Sequence, residues 1–225
     1  MASPKSKKKF NLICVAHPDD ETIFFGGLIQ RRRQGRPWTV VCATSDGDLE
    51  RKKQFESACK LLGIKEFHWW AFPDRYEQRL PIEQLSERLR SLGSPDEIFT
   101  HGIVGEYGHP HHQDVSYAVH TAFPKHPKLY SVAYNTFPDL EIKLTKKEFE
   151  TKARILTKVY GSETSRFLNV LPSTYVEGFQ KLKIAEVSAV YGYLAQDKPL
   201  SPKTLKAHKW LEDYLPKIKN LPRPF

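Results

Sequence analysis

Short apolar runs alternate along this chain with longer stretches in which apolar residues recur every three or four positions. Residues 10–15 (with Asn11 inside the run), 38–44, 64–72, 96–101 and 129–134 are rich in Val, Ile, Leu and aromatic side chains, and predict buried strands. Between them, residues 26–33, 49–62, 82–92 and 110–122 read as helices. Phe55, Ala58, Cys59 and Leu62 mark the buried face of one, and Ile82, Leu85, Leu89 and Leu92 that of another. Gly35-Arg36-Pro37 breaks the pattern after the first helix, and Gly63 closes the second. Regular strand–helix alternation predicts an α/β fold, a parallel sheet joined by right-handed crossovers. Beyond Phe137 the alternation weakens. Residues 141–144 read as a strand and 146–159 as a helix, and Ser201 followed by Pro202 predicts a helix running to about Leu215, docked on the core.

Composition narrows the class without naming a function. With 225 residues, 40% of them hydrophobic and 27% charged, the chain reads as one soluble globular domain with a basic tail over residues 1–9. No apolar run approaches the ~18 residues of a membrane span, so no integral membrane segment is expected. Lys5, Lys7, Lys8 and Lys9 precede an apolar segment too short for a signal-peptide core, which leaves a cytoplasmic location as the expectation. Cys14, Cys42 and Cys59 lack metal-ligand spacing and read as small buried residues of a reducing compartment. The net charge of +9 favours an anionic partner or substrate, but it is spread along the chain with no nucleic-acid motif, so nucleic acid is not expected.

The chemistry gathers in two stretches. Ala16-His17-Pro18-Asp19-Asp20-Glu21 lies where the first strand ends and a helix begins, the place where ligands bind in open α/β sheets. His17 and Asp20, three apart, can converge as part of a site for zinc or another divalent cation, with Asp19 beside it. On this stretch alone, a helix cap made by Asp19 or Asp20, with Glu21 in the first turn, is an equal reading. After the fourth strand come Gly105-Glu106-Tyr107-Gly108-His109-Pro110-His111-His112, where His109 and His112 repeat the spacing at an equivalent junction. Two histidines and one carboxylate with an open position make up a catalytic rather than a structural zinc site. His68, His101, His120, His126 and His208 read as ordinary satisfied side chains.

These two motifs, in this order and spacing, closely resemble the PIG-L/LmbE-like family of zinc-dependent N-acetylglucosaminyl deacetylases. The resemblance runs over residues 10–180 and leaves 181–225 as a C-terminal extension outside it. It implies a Rossmann-like three-layer α/β sandwich with a mostly parallel central sheet, and removal of acetyl from an N-acetylated amino sugar. It further implies Zn2+ held by His17, Asp20 and His112, Asp19 as general base, and His109 as a protonated oxyanion stabiliser and acid. Arg51 and Asp74 match substrate-contacting positions. The chain departs from the family pattern at His111, where an aspartate is usual, and at Gln54 and Glu163. The same ligand set also suits a non-haem iron(II) oxygenase, usually built on a β-barrel, and a sugar-binding protein without catalysis is a further alternative.

Overall fold

The computed structural model describes residues 9–134, 136–163 and 174–220. Seven strands form one sheet in the order β3-β2-β1-β4-β5-β7-β6. They are β1 (Asn11–Val15), β2 (Trp38–Cys42), β3 (Glu66–Trp69), β4 (Glu97–Thr100), β5 (Leu129–Val132), β6 (Leu140–Lys143) and β7 (Val176–Gln180). The first five are parallel, while β7 runs antiparallel to both β5 and β6. The mostly parallel α/β sheet expected from the alternation is therefore present. β7 escaped the sequence reading, because Val176-Glu177-Gly178-Phe179-Gln180 has a glycine at its centre and only two apolar side chains.

Helices α1 (Asp20–Arg31), α2 (Leu49–Leu62), α3 (Ile82–Ser91), α4 (Pro110–Ala122), α5 (Lys146–Val159), α6 (Ile184–Gln196) and α7 (Leu215–Lys219) complete the layers. Strand residues alternate between faces. Ile13 and Val15 therefore join Phe25, Phe55, Leu62 and Leu156 of α1, α2 and α5, while Leu12 and Cys14 join Leu85, Leu89, Val115 and Val119 of α3 and α4. The three cysteines are buried and free, as expected of small core residues. Among the described residues, no helix is long and apolar enough to cross a membrane.

An ion pair ties the first face together. Lys152 of α5 and Glu177 of β7 are buried, with Nζ 2.7 Å from Oε1. Glu177 also accepts the backbone N–H groups of Gly27 and Leu28, each at 2.7 Å. A β-carbon at Gly27 would come within 2.6 Å of the Leu144 side chain, so glycine there lets the residue following β6 pack closely on α1.

The C-terminal segment differs from expectation. Instead of a helix from Ser201 to about Leu215 there are two 3-10 turns, Pro202–Thr204 and Lys209–Leu211, and then the short α7. Glu186 of α6 takes the backbone N–H groups of Lys206 and His208 (2.9 and 3.0 Å), donors that a continuous helix would turn to its own carbonyls. Leu205, Leu211 and Leu215 pack with Val187, Val190 and Tyr191 of α6 against Ile103 and Val104, so the extension docks on the core under the loop that follows β4.

Candidate active site

β1 and β4 lie side by side where the strand order reverses, and their carboxyl ends open into one crevice. His17 to Asp20 leave the end of β1, and His101 to His112 leave the end of β4. The first turn of α1 is not built by a capping side chain. Asp19 occupies the N-cap position with φ 101° and makes no side-chain cap bond. Glu21, fully buried, instead accepts the Asp19 backbone N–H (3.0 Å) and the Tyr160 hydroxyl (2.9 Å). Holding a non-glycine residue at that φ costs on the order of 1–3 kcal/mol, and it turns the Asp19 carboxylate away from the helix, leaving it available at the crevice.

Three ligand atoms meet there. His17 Nδ1 lies 3.4 Å from Asp20 Oδ2 and 3.1 Å from His112 Nε2, and the last two are 3.5 Å apart. A tetrahedral zinc with bonds of about 2.0–2.1 Å separates its ligand atoms by roughly 3.3 Å. The residues present therefore fit a divalent cation, in donor set and in spacing. The Asp19 carboxylate is outside this triangle, its Oδ2 held by Arg51 Nη2 at 2.9 Å. His109 also lies beside it, its ring centroid 4.5 Å from that of His17 and 4.8 Å from that of His112.

Burial and close charges set the protonation of each group. Burial, with His101 beside it, lowers His112 to about 4, which leaves a neutral ring with a lone pair to give. Burial alone would raise Asp20, but His112, His101 and His17 hold it well below the usual carboxylate range. Burial and the Asp20 charge lift Asp19 to about 7, and Arg51 works against them. For His109 the surroundings oppose the imidazolium that the resemblance implies. Burial and the imidazoles of His112, His17 and His111 push its pKa far down. Its Nδ1 accepts the His111 backbone N–H at 3.2 Å, so the proton of the neutral ring sits on Nε2. His109 is thus set to donate a hydrogen bond, without a full charge.

The substrate-type residues are present too, with engagements of their own. Arg51 donates to the Pro18 carbonyl (2.6 Å) as well as to Asp19, so it braces the carboxylate proposed as base. Asp74, whose side chain is 38% exposed, accepts from Ser45 Oγ (3.2 Å) and places Oδ1 3.4 Å from His17 Nε2 and 3.2 Å from His111 Nδ1. His17 Nε2 and His111 Nδ1 are 3.3 Å apart, a second triangle on the far side of the His17 ring. His111, unusual at its place in the motif, directs Nε2 at the carbonyls of Arg75 and Gln78, each 3.0 Å away. Three contributors were not singled out from sequence: Glu21, Glu106 and His101. His101 accepts the Ala16 backbone N–H (3.0 Å) on Nε2 and stacks on His112 with centroids 3.9 Å apart. Its position directly after β4, facing the turn after β1, was the available signal.

Residues 12–123, which carry both motifs, match the family model PIG-L: GlcNAc-PI de-N-acetylase. The chain belongs to the PIG-L family. Among its relatives, a probable N-acetyl-alpha-D-glucosaminyl L-malate deacetylase 2 of Bacillus cereus is 28% identical over 142 residues, 52% of this chain and 62% of that protein. Uncharacterized protein L374 of Acanthamoeba polyphaga mimivirus is 28% identical over 150 residues, 57% of this chain and 64% of that one. The chain thus spans just under two thirds of the length of these curated relatives. In fold it is similar to the N,N'-diacetylchitobiose deacetylase of Pyrococcus horikoshii, with a TM-score of 0.59 at 21% identity over 79% of this chain and 85% of that one.

Proposed function

We propose that this PIG-L family member is a zinc-dependent hydrolase that removes the acetyl group from an N-acetylglucosamine-type sugar or its conjugate. One observation carries the reading: His17 Nδ1, Asp20 Oδ2 and His112 Nε2 stand at tetrahedral spacing with an additional carboxylate, Asp19, alongside. A zinc ion held by these three residues supplies Lewis acidity and an acidified water. Asp19 takes the proton of the attacking water and returns it to the departing amine, help of a kind worth about 10²–10⁴-fold in rate. The His109 Nε2–H donates to the oxygen on which negative charge develops, from a site fixed before the reaction begins. Arg51 keeps the Asp19 carboxylate aimed, and Asp74 accepts from a sugar hydroxyl at the crevice mouth. Tyr107, 45% exposed and 5.4 Å from the His112 ring centroid, offers an apolar face to the sugar. The surplus positive charge suits an anionic group on the substrate.

The test is a panel of N-acetylated amino sugars and their phosphorylated or carboxylated conjugates, assayed for acetate and free amine with zinc-loaded protein. Release of both in equal amounts supports the reading. A zinc-replete, folded protein that releases neither from any member refutes it. Running the panel without oxygen separates hydrolysis, which is unaffected, from iron-dependent oxygenation, which stops.

A further inference from the structure

Glu106 lies in the second motif, yet the reaction outlined above gives it no task. It is 3% exposed and sits at φ 54°, a left-handed conformation that glutamate seldom adopts. The preceding residue makes this bend possible. Gly105 has φ 78°, and a β-carbon there would fall 2.4 Å from the His109 carbonyl oxygen. The strained turn places the Glu106 carboxylate between the Gly102 N–H and the His112 ring, with the His101 ring beside it. Gly102 N donates to Oε1 at 2.7 Å, and His112 Nδ1 lies 2.6 Å from Oε2. His101 Nδ1 is 3.2 Å from the same Oε2.

We propose that Glu106 is a positioning residue that fixes His112 in its Nδ1–H tautomer, so that the Nε2 lone pair is directed into the His17–Asp20–His112 triangle. The inference rests on the metal site proposed above. Its physical basis is donor and acceptor accounting. An ionised carboxylate accepts at both oxygens and donates at neither, which matches the Gly102 N–H at Oε1 and His112 Nδ1 at Oε2. A glutamine of the same shape cannot do this. With its carbonyl toward Gly102, its NH2 faces His112 Nδ1, which must then become the acceptor and move the ring proton to Nε2, the atom needed for the cation. With the amide reversed, NH2 meets the Gly102 N–H. A carboxylate behind a metal-binding imidazole generally accounts for about 10–100-fold in metal affinity.

The experiment compares wild type, Glu106→Gln and His112→Ala by chelator competition for zinc, and reads the His112 ring tautomer by 15N NMR in the metal-free protein. The expected result is a loss of about 10–100-fold in zinc affinity for E106Q, with the His112 proton moved from Nδ1 to Nε2. Unchanged affinity and an unchanged tautomer in folded E106Q would overturn the proposal. Should E106Q not fold, the wild-type spectrum decides alone, since a metal-free wild type with the His112 proton on Nε2 overturns it and one with the proton on Nδ1 upholds it. Failure of the metal reading is distinguishable: wild type and H112A would then bind zinc equally.

Discussion

Replacing Asp19 by asparagine separates chemistry from structure at this site. The substitution keeps the side chain's shape and leaves an oxygen for Arg51 Nη2, which now contacts Oδ2 at 2.9 Å. It also keeps a residue type that tolerates positive φ, as position 19 requires at 101°. What it removes is the negative charge and the ability to take a proton. The loss of general-base help, about 10²–10⁴-fold in kcat, corresponds to roughly 2.7–5.4 kcal/mol of barrier at 1.36 kcal/mol per decade. Fold stability should hold, because Asp19 and Asp20 repel each other and both carboxylates are buried. Metal should be retained as well, since the three atoms of the ligand triangle belong to other residues. Asp19→Ala should lose the same activity and retain the metal, and also lose stability, since alanine suits that φ less well and removes the carboxylate that Arg51 contacts at 2.9 Å. The assay is kcat for acetate release beside zinc per chain and thermal midpoint. A D19N protein with kcat comparable to wild type, or one that loses zinc together with activity, would refute the assignment of Asp19 as base.

His112→Ala should empty the site of metal, read as zinc per chain after dialysis, while the fold measured by circular dichroism persists. Lys152→Met leaves Glu177 buried without its cation, and should lower unfolding free energy by about 3–5 kcal/mol in a denaturant titration. Glu186 supplies a pH test of stability. Burial would raise its carboxyl, but the His208 ring and the N–H groups of Lys206 and His208 hold it at about 2, below its usual 4.5. A group depressed in the folded state stabilises above its unfolded pKa, and that stability is lost as pH falls from 4.5 toward 2. Glu186→Gln should therefore be less stable than wild type at neutral pH, with the gap in thermal midpoint closing through that window.

Local pattern was enough to determine most of the parallel half of this protein, although the first helix spans Asp20–Arg31 and not the expected 26–33. Leu49–Leu62, Pro110–Ala122 and Lys146–Val159 are helices with the limits that apolar spacing and end signals gave, because each has one apolar face and a defined start or stop. The residues expected to bear the chemistry were also legible, since His-Pro-Asp-Asp and His-Pro-His-His concentrate ligating types at strand–helix junctions. Tertiary structure decided what no local pattern records. Helix α6, apolar around most of its surface, has no clear amphipathic period, and it became visible only through the partners it packs against. The predicted helix after Ser201 gave way to turns because a glutamate remote in sequence, Glu186, captured its backbone donors. At the site, the burial of His109 against the His17 ring, the bracing of Asp19 by Arg51 and the contact of Glu106 with His101 all depend on distances between segments brought together by the fold. Hydrogen bonding and charge act over a few ångströms, so the sequence could name some of the participants but not Glu21, Glu106 or His101, and only the folded chain could say which atom of each faces which.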